Sequence, residues 1–385
     1  MRPDSLPWIT RLVELDTTSR DSNLPLIELV ADELRRHGIE PAILPTEDGR
    51  KANLIATVPA ADGSTAGGVV ISGHTDVVPV DGQPWSSDPF TPEIRDGRLY
   101  GRGTADMKSY LGVALHHLPQ LVAARLREPV HFALTYDEEV GCLGGDVIVG
   151  QFGELGLTPR LCIVGEPTSM RVIRAHKAIN LIRVELHGVA AHSSLTPQGV
   201  NAIHHAADLI GYVRDLAARW RSDGPYDEGY RVPYTTTGVN LVDGGIASNT
   251  VPSLCTLELE FRAIAAVDPA QVVAGIRAEV ARIEQRMQSE NPAARVELTE
   301  LAAVPGLETP ADSAAAALAA RLGGEASDDK VTYGTEAGQF AGIGVDTVVC
   351  GPGDIAQAHS PDEYVELEQI ERCEQFVAAL ITELS

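Results

Sequence analysis

The chain has 385 residues, more than one average core supports, so a large domain with a smaller companion is expected. Its net charge of −24 argues against nucleic acid and anionic membrane as partners, and no apolar run is long enough to span a bilayer. The five cysteines (Cys142, Cys162, Cys255, Cys350 and Cys373) are scattered with no Cys-x-x-Cys pair, which excludes a disulfide framework or a thiolate zinc site and suits a reducing compartment.

The first residues carry Pro, Asp and Glu where a signal peptide needs an apolar stretch, so a cytoplasmic protein is expected. Residues 5–37 read as a helix pair around a turn near 17–25, and the apolar spacing of the second helix stops at Gly38, a C-cap residue. Apolar runs bounded by turns follow at 53–59, 67–76, 129–139 and 160–168, with an amphipathic helix over 106–126 between two of them. Short, non-alternating strands separated by helices predict an α/β domain: a mixed, mostly parallel sheet with helices on both faces. Near residue 178 the pattern changes. An alternating strand (179–189), a helix (201–220), two strands (234–245 and 253–263), a helix over 268–290 and a strand (294–302) follow in order. Asp268 caps that last helix and Pro269 fills its first position. The β-α-β-β-α-β order is a split βαβ, ferredoxin-like α+β unit inserted at 178–303. Helices at 313–324 and 367–384 and a strand at 346–353 then resume the α/β style, so the first domain is built from 1–177 and 304–385.

The chemistry-bearing residues stand where the apolar runs stop. His74 and Asp76 close one run, Asp106 opens the helix, Glu138 and Glu139 close the next, Glu166 closes another, and His359 sits in a late loop. Ligands of open α/β sheets bind at the carboxyl ends of the strands, so distant segments deliver these groups to one edge. Crowded carboxylates repel and raise one another's pKa, and such a cluster calls for cations. Two divalent ions match its charge; imidazole and carboxylate without thiolate suit zinc, with cobalt or manganese as alternatives, rather than calcium. A metal pair about 3.5–4 Å apart is a hydrolytic device. Residues two apart on a strand point the same way, so Asp76 is expected to accept the second ring N–H of His74. Of Glu138 and Glu139, one is expected to bind metal and the other to face the attacking water as general base. Each piece alone has a blander reading: a solvated Glu-Glu turn, an N-cap at Asp106, or a surface ion pair of His359 with Asp362 and Glu363.

The segments "SGHTDVVPV", "PWSSDPFTPEIRDGRLYGRGTADMK", "YDEEVG", "GEPT" and "AHSPDE" resemble the acetylornithine deacetylase and succinyl-diaminopimelate desuccinylase family of metallohydrolases. Within it, "YDEEVGCLG", "GEPTSM", "YGTEAGQF" and "CGPGDIAQAHSPDEYV" look most like the acetylornithine deacetylases. The resemblance implies a zinc-exopeptidase-like catalytic domain and an inserted lid and dimerisation domain. It implies that His74, Asp106 and Glu166 hold one metal, and Glu139, Asp106 and His359 the other. Asp76 would support His74, and Glu138 would deprotonate the metal-bridging water and protonate the leaving amine. A cis peptide is implied at Asp106–Met107. His192, often acting on the partner's site in relatives, would stabilise the oxyanion, and Asn249 and Arg262 would bind the substrate carboxylate. The implied reaction converts N-acetyl-L-ornithine to L-ornithine and acetate in arginine biosynthesis, by a homodimer. N-succinyl-diaminopimelate, N-acetylcitrulline or a dipeptide are the alternative substrates. Three positions depart from the pattern without removing a ligand: Ala191 before His192, Ala178 in "HKA", and "ADMKS" after Thr104.

Overall fold

A computed structural model describes residues 2–385. They divide into two units: one takes the chain through Ala175, Leu307–Lys330 and Thr335–Ser385, the other His176–Gly306 with Val331–Gly334. The second unit reaches beyond the expected 178–303 because Val331 bridges to His176 and the Thr332 carbonyl accepts from Arg262, tying a late segment to it. Among the described residues no helix is long and apolar enough to cross a membrane.

The strands of the two main sheets are numbered in chain order: β1 (Ala42–Pro45), β2 (Ala52–Val58), β3 (Val69–His74), β4 (Val130–Thr135), β5 (Leu161–Pro167), β6 (Ala178–His187), β7 (Thr236–Gly244), β8 (Leu254–Ala263), β9 (Arg295–Val304) and β10 (Asp346–Gly351). The first unit holds a six-stranded sheet in the order β1-β2-β4-β3-β5-β10. The pairs β4–β3, β3–β5 and β5–β10 are parallel, and β1–β2 and β2–β4 antiparallel. β3 and β4 are buried at every position, which is why their sequences are apolar without alternation. Helices Leu24–Arg36, Lys108–His116 and Leu367–Leu384 contribute Val30, Leu111 and Phe376 to the same core.

The helix expected over 106–126 is two helices, Lys108–His116 and Leu118–Ala123. Pro119 cannot donate the i→i−4 hydrogen bond and its ring crowds the preceding turn, so the first helix stops before it.

The second unit is a four-stranded antiparallel sheet, β7-β8-β6-β9, with helices Ala202–Asp223 and Pro269–Glu290. β6 and β8 alternate strictly in burial. Ile182, Val184, Leu257 and Leu259 meet Leu209 and Ile283 from the helices in a separate core. Both helices are capped by side chains: Asn201 accepts from His204 N–H at 3.1 Å, and Asp268 from Ala270 N–H at 2.9 Å.

Candidate metal centre

Because β4, β3 and β5 are adjacent and parallel, their carboxyl ends lie side by side. That adjacency places Glu138 and Glu139, His74 and Glu166 at one edge of the sheet, although their codons lie far apart. Gly165 precedes Glu166 for a steric reason: a Cβ there would stand 2.0 Å from the Tyr110 ring, so only glycine lets the strand pass the helix. Asp106 enters from the loop before Lys108–His116, and the Asp106–Met107 peptide is cis. His359 comes from the loop after β10, with a left-handed φ of 61°.

His74 Nδ1 lies 2.9 Å from the main-chain carbonyl of Asp76. A carbonyl only accepts, so Nδ1 carries the proton and Nε2 is the ligand atom. Nε2 stands 2.8 Å from Asp106 Oδ1 and 3.7 Å from Glu166 Oε1. The other Asp106 oxygen, Oδ2, lies 3.3 Å from His359 Nε2, which is 3.0 Å from Glu139 Oε2. Asp106 therefore offers one oxygen to each imidazole. Glu138 Oε1 stands 3.3 Å from Cys142 Sγ.

The ligand atoms of His74, Glu138 and Glu166, and those of His74, Asp106 and Glu139, each fall within 4.8 Å of one another. Burial is the largest influence raising the carboxyls of Glu138 and Glu166 well above the carboxylate range, with neighbouring negative charge adding to it. Glu139 is raised to about 7 by burial and then by Asp106. Burial also pushes Asp106 upward, but hydrogen bonds from His359 and His74 outweigh it and hold Asp106 below the usual range. His359 is raised to about 10 by its bonds to Asp106 and Glu139. The edge is short of positive charge. Glu166 Oε1 is buried with no hydrogen-bond partner, and His74 Nε2 and Asp106 Oδ1 need a proton or a cation that both can bind. The residues present fit a pair of divalent ions.

A family model described as peptidase family M20/M25/M40 matches residues 70–383. The chain belongs to this family. It is similar to an acetylornithine deacetylase of Myxococcus xanthus, 36% identical with 98% of each chain covered. It is also similar to one of Shigella sonnei, 34% identical, covering 94% of this chain and 91% of the relative. Its fold matches the M20 family metallo-carboxypeptidase Sso-CP2 of Sulfolobus solfataricus with a TM-score of 0.74, 18% identity and 98% of each chain covered. As a member of the M20 family the chain is a metallohydrolase that acts on amides.

Asp76 meets the His74 ring chiefly through its main chain, with its carboxylate standing alongside as an ion-pair partner. Its Oδ1 is 3.6 Å from Nδ1, outside hydrogen-bond range, because the main-chain carbonyl takes that proton. The Asp76 carboxylate also clamps the loop that carries the two glutamates. Oδ1 accepts from Glu138 N–H at 3.1 Å, and Oδ2 accepts from Glu139 N–H at 3.4 Å and Ser19 Oγ at 2.7 Å.

Other supporting residues gave no sequence signal. Asn53 accepts from Tyr136 N–H and donates to the Gly144 carbonyl, while Lys51 pairs with Asp137. Glu363, which could have been a surface ion-pair partner of His359, is 1% exposed. Its Oε1 accepts from Ala105 N–H at 2.9 Å and Asp106 N–H at 3.1 Å, and its Oε2 from Arg102 at 2.6 Å. Arg102 also donates to Gln83, whose amide donates to the His359 carbonyl, so one hydrogen-bond network runs from the buried Asp106 loop to the exposed His359 loop.

The second unit holds the remaining candidates. His192 is exposed, with Nδ1 2.8 Å from Ser194 Oγ. Asn249 is close in the fold: its carbonyl accepts from Ser193 N–H at 2.9 Å, and His192 bridges to Thr250. Arg262 is elsewhere. It pairs with Ile179 at the first end of β6, whereas His192 follows His187 at the other end. Eight strand steps at ~3.3 Å separate those ends by roughly 26 Å. Arg262 Nε donates to Glu260 at 2.5 Å and Nη1 to the Thr332 carbonyl at 3.4 Å.

Proposed function

We propose that the chain hydrolyses N-acetyl-L-ornithine to L-ornithine and acetate, a cytoplasmic step of arginine biosynthesis. The observation that carries the catalytic part is Asp106, with one oxygen toward each of two imidazoles, and Glu138 clustered with His74 and Glu166. The acetylornithine substrate is supported by the near full-length likeness to two acetylornithine deacetylases.

In this reading His74, Asp106 and Glu166 hold one ion, and Glu139, Asp106 and His359 the other, with zinc the expected metal. Bound divalent ions would supply Lewis acidity at the acyl carbonyl and make water nucleophilic near neutral pH. Glu138 takes a proton from the attacking water and returns it to the departing amine, so water and amide become acetate and amine. Asp76 keeps that carboxylate in place through the loop backbone. Arg262 keeps the Nη2 hydrogens for a substrate carboxylate, while His192 and Asn249 steady the developing oxyanion and the substrate.

The separation along β6 bears on assembly. One copy of the second unit cannot set His192 and Arg262 against the same amino-acid derivative, since they stand a strand's length apart. We therefore assign His192 and Asn249 to the site of a partner copy in a homodimer formed through this unit. Its edge strand β7, with Leu241 and Val242 about half exposed and Ile246 beyond it 90% exposed, is open to such pairing.

A panel of N-acetyl-L-ornithine, N-succinyl-diaminopimelate, N-acetylcitrulline and a dipeptide tests the reading, run after chelation and again with zinc, cobalt or manganese restored. Acetylornithine should give the highest kcat/KM, and chelated enzyme should give none. A higher value on another substrate, or full turnover without metal, overturns it.

A further inference from the structure

The segment "YGTEAGQF" has no role in the reaction as proposed, yet two of its side chains reach the catalytic edge. Glu336, wholly buried, accepts from Ser72 Oγ at 3.2 Å and from Thr135 Oγ1, joining the ends of β3 and β4. Gln339, 3% exposed, reaches the loop that follows Glu138. Its Nε2 donates to the Cys142 carbonyl at 2.9 Å and to Asp146 Oδ1 at 2.7 Å. The packing is close enough that a Cβ on Gly145 would stand 1.9 Å from Gln339 Oε1, so a side chain there would displace the amide.

Cys142 is held in a conformation that most side chains avoid, with φ at 53°. Its N–H donates to the Glu138 carbonyl at 2.9 Å, and its thiol points back at Glu138 Oε1, 3.3 Å away. Burial, reinforced by nearby carboxylates, keeps that thiol protonated and hence a donor.

We propose that Gln339 and Cys142 form a brace that sets the direction of the Glu138 carboxylate: the amide fixes the Cys142 backbone, and the thiol engages Oε1 so that Oε2 faces the reacting water. Both are positioning residues, since neither touches substrate. The proposal rests on Glu138 being the base.

The test compares the metal-loaded enzyme with C142A, C142S, Q339L and C142A/Q339L on the preferred substrate, with E138Q as reference. C142A should lower kcat roughly tenfold with KM unchanged, and C142S, which restores a donor, should recover most of it. Q339L should also act on kcat, and the double variant should be no worse than the poorer single one, because the two act in series. Unchanged kcat in C142A, an effect on KM alone, no rescue by serine, or additive losses overturn the brace. If Q339L does not fold, the C142A and C142S pair decides. An active E138Q would instead remove the base assignment, a result separable from failure of the brace alone.

Discussion

His74, Asp76, Asp106 and Glu166 are no more than 5% exposed in the first unit, whereas His192 and Asn249 in the second are exposed loop residues. The buried groups are held by backbone and by each other: Asp76 by two loop amides, Asp106 by two imidazoles, Glu363 by two amides and an arginine. The exposed ones have one or two local contacts. Geometry in the first unit is thus set before any ligand arrives, at the cost of desolvating several acids. In the second, His192 and Asn249 stand beyond one end of an independently packed sheet, exposed to solvent.

The largest test of that contrast is Glu138→Gln. It should reduce kcat by about 10²- to 10⁴-fold while leaving the melting temperature near that of the parent, measured by steady-state kinetics and calorimetry. A variant that melts early would show the glutamate to be a packing residue. Next comes His192→Ala, expected to lower kcat about 10²-fold without disturbing the buried edge. Mixing it with Glu138→Gln should restore activity if His192 serves the partner's site. Two inactive preparations that stay inactive after subunit exchange would return His192 to its own chain.

A smaller effect concerns pH. His176, 1% exposed in the second unit, has its pKa lowered by burial to about 4 from 6.5. Above 6.5 both folded and unfolded forms are neutral there and contribute no pH dependence. As pH falls from 6.5 toward 4 the unfolded chain binds the proton first, so stability declines and then levels off, by up to about 3 kcal/mol. Denaturant titrations of the parent and His176→Asn should differ in that window, and parallel curves would refute it. Smallest is Asp268→Ala, which removes a helix cap and should cost about 1 kcal/mol in urea unfolding with kcat unchanged.

Much of the candidate site was legible because its residues end apolar runs: a parallel sheet aligns strand termini, so His74, Glu138, Glu139 and Glu166 could be assigned a common edge from spacing and direction alone. The capping of the 269–290 helix was legible for a similar local reason, since Asp268 and Pro269 act on the first turn beside them. The break at His117 was missed although Pro119 announced it. Ser19, Asn53, Glu363 and Gln339 were not legible, because each meets its partner across dozens to hundreds of residues and no local pattern marks an acid or amide that will be buried.

The amino-acid order alone determined the element types and the two packing styles, both of which follow from short-range periodicity. Tertiary structure decided which oxygen of Asp106 faces which imidazole, that the Asp76 carboxylate also grips a loop, and that Arg262 and His192 lie at opposite ends of β6. Those facts depend on which strands become neighbours and in what register. Long-range packing settles both, by burying the apolar faces and leaving each buried polar atom to find its partner.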